Sequence, residues 1–515
     1  MAHQSGDKIQ SESTDRVTDS LIDTTMRFTS NRKLVVAVNR GPLYFTEEHS
    51  GQPIAKRDNS RGTEMFEPLV GTPITWVAGA VSAADRNAAN EIISANGGLK
   101  SDVLPNDWSV RFVSPPRRVH HKFYNLICNP LLWFLLHRSW SPTFTPNIGQ
   151  QEHDAWERGY RAVNDMFSNE VMVAAGDDQL ALISRDYQLM LVPGMVRKRQ
   201  AEAVIHHSFD TPWLWPTDLE ILPSTWREEI LTSLLSADVL SFQSETDIRA
   251  FVACVTSFIT SAIPETGASG DSIAYENRNI KLTVSAPTVR TEKFAQVTGF
   301  ETTQRFVENL IDDTITHTFV TVDRAEPHKN IVRTINAFGE LLKRQPELVA
   351  ETRYLLFLSS GPAHISAYKR LSDEIRRATR RVNENSMNFS PVRIFEENNF
   401  YRSVAGLTIY DTLVSVPVID RSPRSVFDGP LVNTKQGGMI LSETCGASQL
   451  LGENVSLVGF SDISAMVDAM SAAISESSTA RTVNADRIRE TISSIKLSDS
   501  IQTIFEELDR VIESR

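Results

Sequence analysis

At 515 residues the chain is too long to close around a single hydrophobic core, so two domains are expected. Hydrophobic residues make up 41% and charged residues 23%, an ordinary globular composition, and the net charge of −12 argues against a nucleic-acid partner, which needs a basic face. A small anionic ligand is still allowed, because a local Arg/Lys cluster can bind phosphate within an acidic protein.

Residues 1–30 are rich in Ser, Thr, Asp and Gln and read as a disordered tail, without the basic start and apolar run of a secretory signal. Order is expected to begin at Leu34–Val38, a continuous apolar run stopped by Asn39-Arg40-Gly41-Pro42, as in a buried strand. Similar runs recur at Ile74–Ala80, Leu180–Ser184, Ala203–His207 and Val239–Phe242, with helical spacing between them, as in Trp156–Phe167. The stretch Leu131–Leu136 is too short to cross a bilayer, so no membrane partner is expected. Residues 262–280, rich in Gly, Ser, Asn and Glu, read as a surface loop.

A second set begins with a strand at Thr318–Val322. Asn330 is placed to cap a helix with apolar positions Ile331, Ile335, Phe338, Leu341 and Leu342. Further strands follow at Tyr354–Leu358, Leu413–Val418 and Met439–Leu441, and the chain ends in an amphipathic helix carrying Ile501, Ile504, Phe505, Leu508, Val511 and Ile512 on one face. Alternating strands and helices predict two α/β halves with parallel sheets, Rossmann-like and facing a central cleft, joined near residues 284–295. Cys128, Cys254 and Cys445 are far apart and without metal-ligand spacing, which suggests reduced thiols and a cytoplasmic protein; no metal site is predicted.

The sharpest local feature is Val322-Asp323-Arg324-Ala325-Glu326-Pro327-His328-Lys329-Asn330, between a strand and a helix. Arg324 and Lys329 stand five apart in this loop and can point at one anion, and the helix start adds backbone N–H groups. A departing diphosphate needs such neutralisation. Two solvated surface charges are the bland alternative.

The loop resembles the Arg-x-x-x-x-Lys segment of the trehalose-6-phosphate synthase family, and Glu326-Pro327-His328-Lys329-Asn330 resembles the variant in the branch that includes validoxylamine A 7'-phosphate synthases, which couple two cyclitols. The likeness runs over about residues 33–470. It implies a GT-B glycosyltransferase fold: an acceptor-binding domain at 31–285, a nucleotide-sugar-binding domain at 286–495, and a helix at 496–515 packing back on the first domain. It also implies site roles. Arg324 and Lys329 would clamp the donor diphosphate, making them the main catalytic electrostatic groups. Arg40, in the Asn39–Pro42 turn, would reach the acceptor phosphate. Tyr124-Asn125 and Asn129–Trp133 resemble the aromatic acceptor wall, with Tyr124 and Trp133 in contact with the acceptor. Arg185–Leu189 resembles His-Asp-Tyr-His-Leu, so Asp186 would contact the acceptor sugar, and His206 falls on the active-site histidine. Phe242–Asp247, Pro430–Asn433 and Leu441–Ala447 resemble further family segments, giving Glu443 a donor-side place. Asp420 would hold a donor-sugar hydroxyl and Asp428 the nucleotide ribose. The implied donor is UDP- or GDP-linked, the acceptor a sugar or cyclitol phosphate, with no cofactor beyond the nucleotide sugar; a homo-oligomer is compatible.

Each residue also has a plainer reading: Tyr124 and Trp133 as core aromatics, His206 as a structural histidine, Asp186 in a local ion pair with Arg185, and Glu443 as a helix cap near Gly446.

The pattern is broken in several places. The family's glycine-containing donor loop is Asp420-Arg421-Ser422-Pro423-Arg424, where Pro423 removes an N–H donor. Its Gly-Gly loop is Ser60-Arg61, an acceptor-phosphate Arg expected near Pro362 is absent, and Ser208 and Asp210 replace two prolines after His206. Two readings fit: a transferase with another acceptor or donor, or a regulatory paralogue without turnover.

Overall fold

The computed structural model describes residues 21, 23–26, 28–47, 53–58, 60–92, 98–139, 147–267, 270–289, 291–361, 365–386 and 389–514. The chain divides into two units. The first takes Met1–Leu136, Pro142–Thr288 and Leu497–Arg515; the second takes His137–Ser141 and Val289–Lys496.

The first unit is built on β1 (Arg32–Val38), β2 (Leu43–Glu47), β3 (Pro53–Arg57), β4 (Ile74–Gly79), β5 (Trp108–Val113), β6 (Gln179–Arg185), β7 (Val204–Ser208), β8 (Val239–Phe242), β9 (Ile263–Gly267), β10 (Gly270–Tyr275) and β11 (Arg278–Val284). Nine of these form one sheet in the order β5-β4-β1-β6-β7-β8-β11-β10-β9, and β2-β3 pair separately. From β5 to β11 the neighbours are parallel, which suits the near-continuous apolar runs of strands covered on both faces. In register, Val35 lies between Thr75 and Leu182. The chain runs outward from β1 to β5, then returns to lay β6 on the other side of β1. Strand order therefore reverses between β1 and β6, where ligands of doubly wound sheets collect at the carboxyl ends.

The second unit holds a six-stranded, wholly parallel sheet of β12 (His317–Arg324), β13 (Thr352–Ser359), β14 (Val392–Phe395), β15 (Thr412–Ser415), β16 (Gly438–Ser442) and β17 (Ser456–Val458), in the order β14-β13-β12-β15-β16-β17. Its reversal falls between β12 and β15. The helix Ile331–Arg344 buries Ile331, Ile335, Phe338, Leu341 and Leu342 in the core.

Two expectations are corrected. The tail reading fails for its last third: residues 23–26 and 28–29 are helical, Leu21 and Phe28 are buried, and Phe28 meets Phe505 edge-on at 5.3 Å. The helical spacing of these two apolar residues outweighs a polar composition; residues 1–20 lie outside the described residues. The supposed loop at 262–280 contains antiparallel β9 and β10 and the start of β11. Alternating Ile273, Ile280 and Leu282 bury one face while the other stays polar, a pattern that composition hides. The helical spacing of Trp156–Phe167 is realised as a π-helix at Trp156–Arg161 running into an α-helix at Ala162–Ala175. His137–Ser141 groups with the second unit and Leu497–Arg515 with the first. There the final helix places Ile501, Ile504, Phe505 and Leu508 in the core.

Candidate active site

At the carboxyl end of β12 the chain turns through Arg324 and Glu326 into a short 3-10 turn, Pro327–Lys329, and then the helix Ile331–Arg344. The Lys329 ammonium is the hub. It donates to Asp420 Oδ2 at 2.5 Å and lies 2.6 Å from Asp323 Oδ1, with only 6% of its side chain exposed. Burial alone would lower its pKa, but Asp323 and Asp420 raise it above the usual lysine range, so it stays charged. Of the two carboxyls, Asp323 is pushed up by burial. Asp420 is half-buried and loses solvation too, yet Lys329 and the Ser422 N–H hold it below the usual range. Arg324 remains 54% exposed beside Glu326, at 3.0 Å. The buried His328 ring packs against the His137 ring, tilted by 35° with centroids 4.2 Å apart; burial, His137 and Lys329 keep it neutral.

The loop is fixed by bonds to the turn after β15. Val418 N–H donates to the His328 carbonyl at 2.7 Å. Asn330 was expected to cap the helix, but it sits in the left-handed region at φ 63° and its side chain makes no cap bond. Its amide instead donates to the carbonyls of Val416 at 2.9 Å and Phe460 at 2.7 Å. An asparagine suits this position because it tolerates a positive φ and bridges two loops. Gly446 has a related need: a Cβ there would lie 2.0 Å from the Arg421 carbonyl, where the Asp420 carbonyl accepts from Gly446 N–H at 2.8 Å. Asp428 is buried in the helix Arg424–Val432 and accepts from Arg424 at 3.0 Å. Glu443 is exposed just beyond β16, and the helix after Gly446 has no side-chain cap.

The first unit gathers its predicted residues at the β1/β6 reversal. Asp186 follows β6 with φ 68° and ψ 172°, a conformation costly for a non-glycine residue, on the order of 1–3 kcal/mol. Its N–H donates to the Ser208 carbonyl at 2.7 Å, and Thr211 Oγ1 donates to its carboxylate at 3.3 Å. Burial and nearby Asp210 push the Asp186 carboxyl up to about 7. Trp133 packs on Tyr187 at 5.7 Å, bringing the predicted aromatic wall beside Asp186. Tyr124 is half-buried and stacks on His120 at 5.7 Å. The Tyr187 turn is held from behind: Tyr160 donates to the Tyr187 carbonyl at 2.5 Å, and Asn164 bridges the Gln188 carbonyl and the Leu191 N–H. Arg40 is 61% exposed, over the Tyr44 ring and 3.8 Å from Asp58.

His206 is placed otherwise. It is fully buried on β7, with Nε2 bonded to Ser241 Oγ at 2.7 Å and Nδ1 without a partner; burial followed by His207 and Arg185 keeps it neutral. It has no charge to offer a leaving group. The local Arg185–Asp186 ion pair is also absent: Arg185 NH2 donates to both carboxylate oxygens of Asp210 instead. Motif reading gave no site role to Asp323, Asp210, Tyr160 and Asn164, and gave Asn330 the wrong one. Asp323 and Asn330 could have been found, since they flank the Arg/Lys loop. Pro362 lies outside the described residues.

Two doubly wound sheets, the second wholly parallel and the first parallel from β5 to β11, each carry charged residues at the carboxyl ends beside the reversal point, where α/β proteins of this class bind ligands. The chain matches the family described as Glycosyltransferase family 20 over residues 32–510, and it belongs to that family. It is similar to the validamine 7-phosphate valienyltransferase of Streptomyces hygroscopicus subsp. jinggangensis, at 24% identity over 449 residues, covering 87% of this chain and 88% of the relative. It is similar to the bifunctional trehalose-6-phosphate synthase/phosphatase of Thermoproteus tenax, at 26% identity, covering 69% and 47%. In fold it matches the Candida albicans trehalose-6-phosphate phosphatase N-terminal domain, with a TM-score of 0.79, 18% identity and coverage of 93% and 97%. An E. coli trehalose-6-phosphate structure bound with UDP-2-fluoro glucose gives 0.78, 17%, 93% and 99%. The fold is GT-B, and the protein is a glycosyltransferase of the trehalose-phosphate synthase type. Among the described residues no helix is long and apolar enough to cross a membrane.

Proposed function

We propose that this enzyme transfers glucose or a related unit, with retention at the anomeric carbon, from a UDP- or GDP-linked donor to a phosphorylated sugar or cyclitol. The observation that carries this reading is the Lys329 hub: a buried ammonium held by Asp323 and Asp420, with Arg324 exposed at the other end of the same loop and a helix start beneath. Such a loop suits a diphosphate whose charge grows as its bond to the sugar breaks. The bond from the anomeric carbon to the diphosphate oxygen breaks with its electron pair leaving on that oxygen. The acceptor oxygen bonds to the same carbon, and its proton passes to the departing diphosphate. Arg324 and Lys329 stabilise the charge, Asp420 accepts from a donor hydroxyl, and Asp186 orients the acceptor between the Thr211 hydroxyl and the Trp133–Tyr187 wall.

Coupling to a cyclitol is the second reading. The replaced residues Arg185, Ser208 and Asp210 on the acceptor side favour it, as does the likeness to a valienyltransferase. The three buried thiols fit a cytoplasmic enzyme. A panel of UDP- and GDP-sugars screened by thermal shift, then by mass spectrometry with phosphorylated sugars and cyclitols, tests both. At least one nucleotide sugar should raise the melting temperature and give a coupled product; stabilisation by none would contradict the reading.

A further inference from the structure

Arg185 ends β6 immediately before Asp186, and a guanidinium there would be expected to seize the neighbouring carboxylate. It does not. Its NH2 donates to both carboxylate oxygens of Asp210, at 2.7 and 2.8 Å, and only 6% of its side chain is exposed. The turn that carries Asp210 is tied to the turn that carries Asp186. Asp186 N–H donates to Ser208, Phe209 N–H to Ser241, and Thr211 to the Asp186 carboxylate. Arg185 pairs in register with Ser208, on the face of the sheet that carries Ile183 and His206. Thus one carboxylate takes the cation, and the second is left to the Thr211 hydroxyl and the Trp133–Tyr187 wall.

We propose that Asp210 is a positioning residue that sets the charge of the acceptor side: by holding the Arg185 guanidinium it leaves Asp186 to hydrogen-bond-donating groups of the acceptor, so this turn takes hydroxyl or ammonium groups and not phosphate. The inference rests on the reading that Asp186 meets the acceptor. The groups acting on Asp186 are consistent with it. On its own turn are Arg185 and the Tyr187 N–H, and from the β7 side Asp210 and Thr211. From the His121–Leu132 segment comes the buried Cys128 thiol, and from the Trp156–Arg161 segment Tyr160; each senses the Asp186 charge. Arg185 is the one cation among them, and Asp210 occupies it. One guanidinium nitrogen, NH2, donates to both Asp210 oxygens and the other, NH1, faces Met65 Sδ, so both outer nitrogens are engaged away from Asp186.

The test is Asp210→Asn in the full chain, read by carboxyl-carbon NMR of 13C-labelled aspartate, with the Asp186 signal assigned by its loss in Asp186→Asn. In the wild type Asp186 should titrate near 7. In Asp210→Asn, Arg185 loses its partner and turns to Asp186, and the midpoint should fall by about 1–3 units. The double variant Arg185→Met/Asp210→Asn has no buried guanidinium to release, so it should fold even if the single variant does not, and its Asp186 midpoint should stay near the wild-type value. UDP and GDP affinities, measured by calorimetry, should match wild type in both. A midpoint unmoved in Asp210→Asn, or lowered equally in the double variant, overturns the role of Asp210. Loss of nucleotide binding on Lys329→Ala reports separately on the donor-side reading, so the two can fail independently.

Discussion

Replacing Lys329 with alanine removes the hub of the loop after β12, and the structure sets what should follow. A charge-assisted contact to a phosphate is worth about 1.5–3 kcal/mol. Donor nucleotide affinity should therefore fall by roughly one to two decades. The fold should suffer as well. Asp323 and Asp420 both lie within 2.6 Å of the ammonium, and Lys329 is nearly inaccessible. Breaking a buried pair by removing one partner costs about 3–5 kcal/mol, because charge is left uncompensated. The sign of the pH dependence follows. Without the ammonium, one of the two carboxyls takes a folded-state pKa above its unfolded value. The variant is then least impaired below that unfolded value, and it loses stability as pH rises through the raised one. Calorimetry with UDP and GDP gives the first quantity, and urea unfolding at pH 5 and pH 8 gives the second. Adding Asp420→Asn should restore part of the stability and none of the affinity. Wild-type nucleotide affinity in a folded Lys329→Ala protein would refute the reasoning.

Asn330→Ala loses the bonds to Val416 and Phe460 and puts alanine at a positive φ, so urea unfolding should show a loss of about 2–4 kcal/mol. The Asp186 carboxyl is raised to about 7, so its contribution to stability is fully present below its unfolded value near 4 and is lost as pH rises through 7. Asp186→Asn should accordingly be more stable than wild type at pH 8, on the order of 2 kcal/mol, with the advantage vanishing toward pH 4; equal stability at pH 8 would contradict it. With UDP-glucose or GDP-glucose and glucose 6-phosphate, product should form poorly, because Ser60-Arg61 and Pro362 replace phosphate-holding positions of the resembled family. Each lost contact should weaken the acceptor by roughly one to two decades, and synthase-like turnover would refute this.

The strands flanking the site were legible because fully buried parallel strands read as continuous apolar runs. Leu34–Val38, Leu180–Ser184 and Thr318–Val322 all fall within observed strands, and Val239–Phe242 coincides with β8. β5 was not legible, since Ser109 and Arg111 interrupt its apolar residues, nor was β14, where Arg393 does the same. β15 stops at Ser415, before the predicted Val418, because Val416 and Val418 bond to Asn330 and the His328 carbonyl instead of a strand. Within the site, Arg324, Lys329 and Asp186 stood out as charges directly after such runs. The pairings did not: Asp420 is 91 residues from Lys329, and Asp210 is 25 from Arg185. Local pattern carries no record of pairings made when parallel strands bring distant turns together. The fate of His206 was hidden for the same reason, because its partner Ser241 arrives on the neighbouring strand.

The central claim is that nucleotide-sugar chemistry runs through the Arg324–Lys329 loop. Its most direct test is the rate of UDP or GDP release from the nucleotide sugar selected in the screen, with a coupled acceptor, in wild type and in Arg324→Ala. Release is expected in the wild type, with a fall in kcat/KM of about two decades or more in the variant, whose fold should be intact because Arg324 is more than half exposed. Equal rates in the two proteins, or no release from any nucleotide sugar, would contradict it.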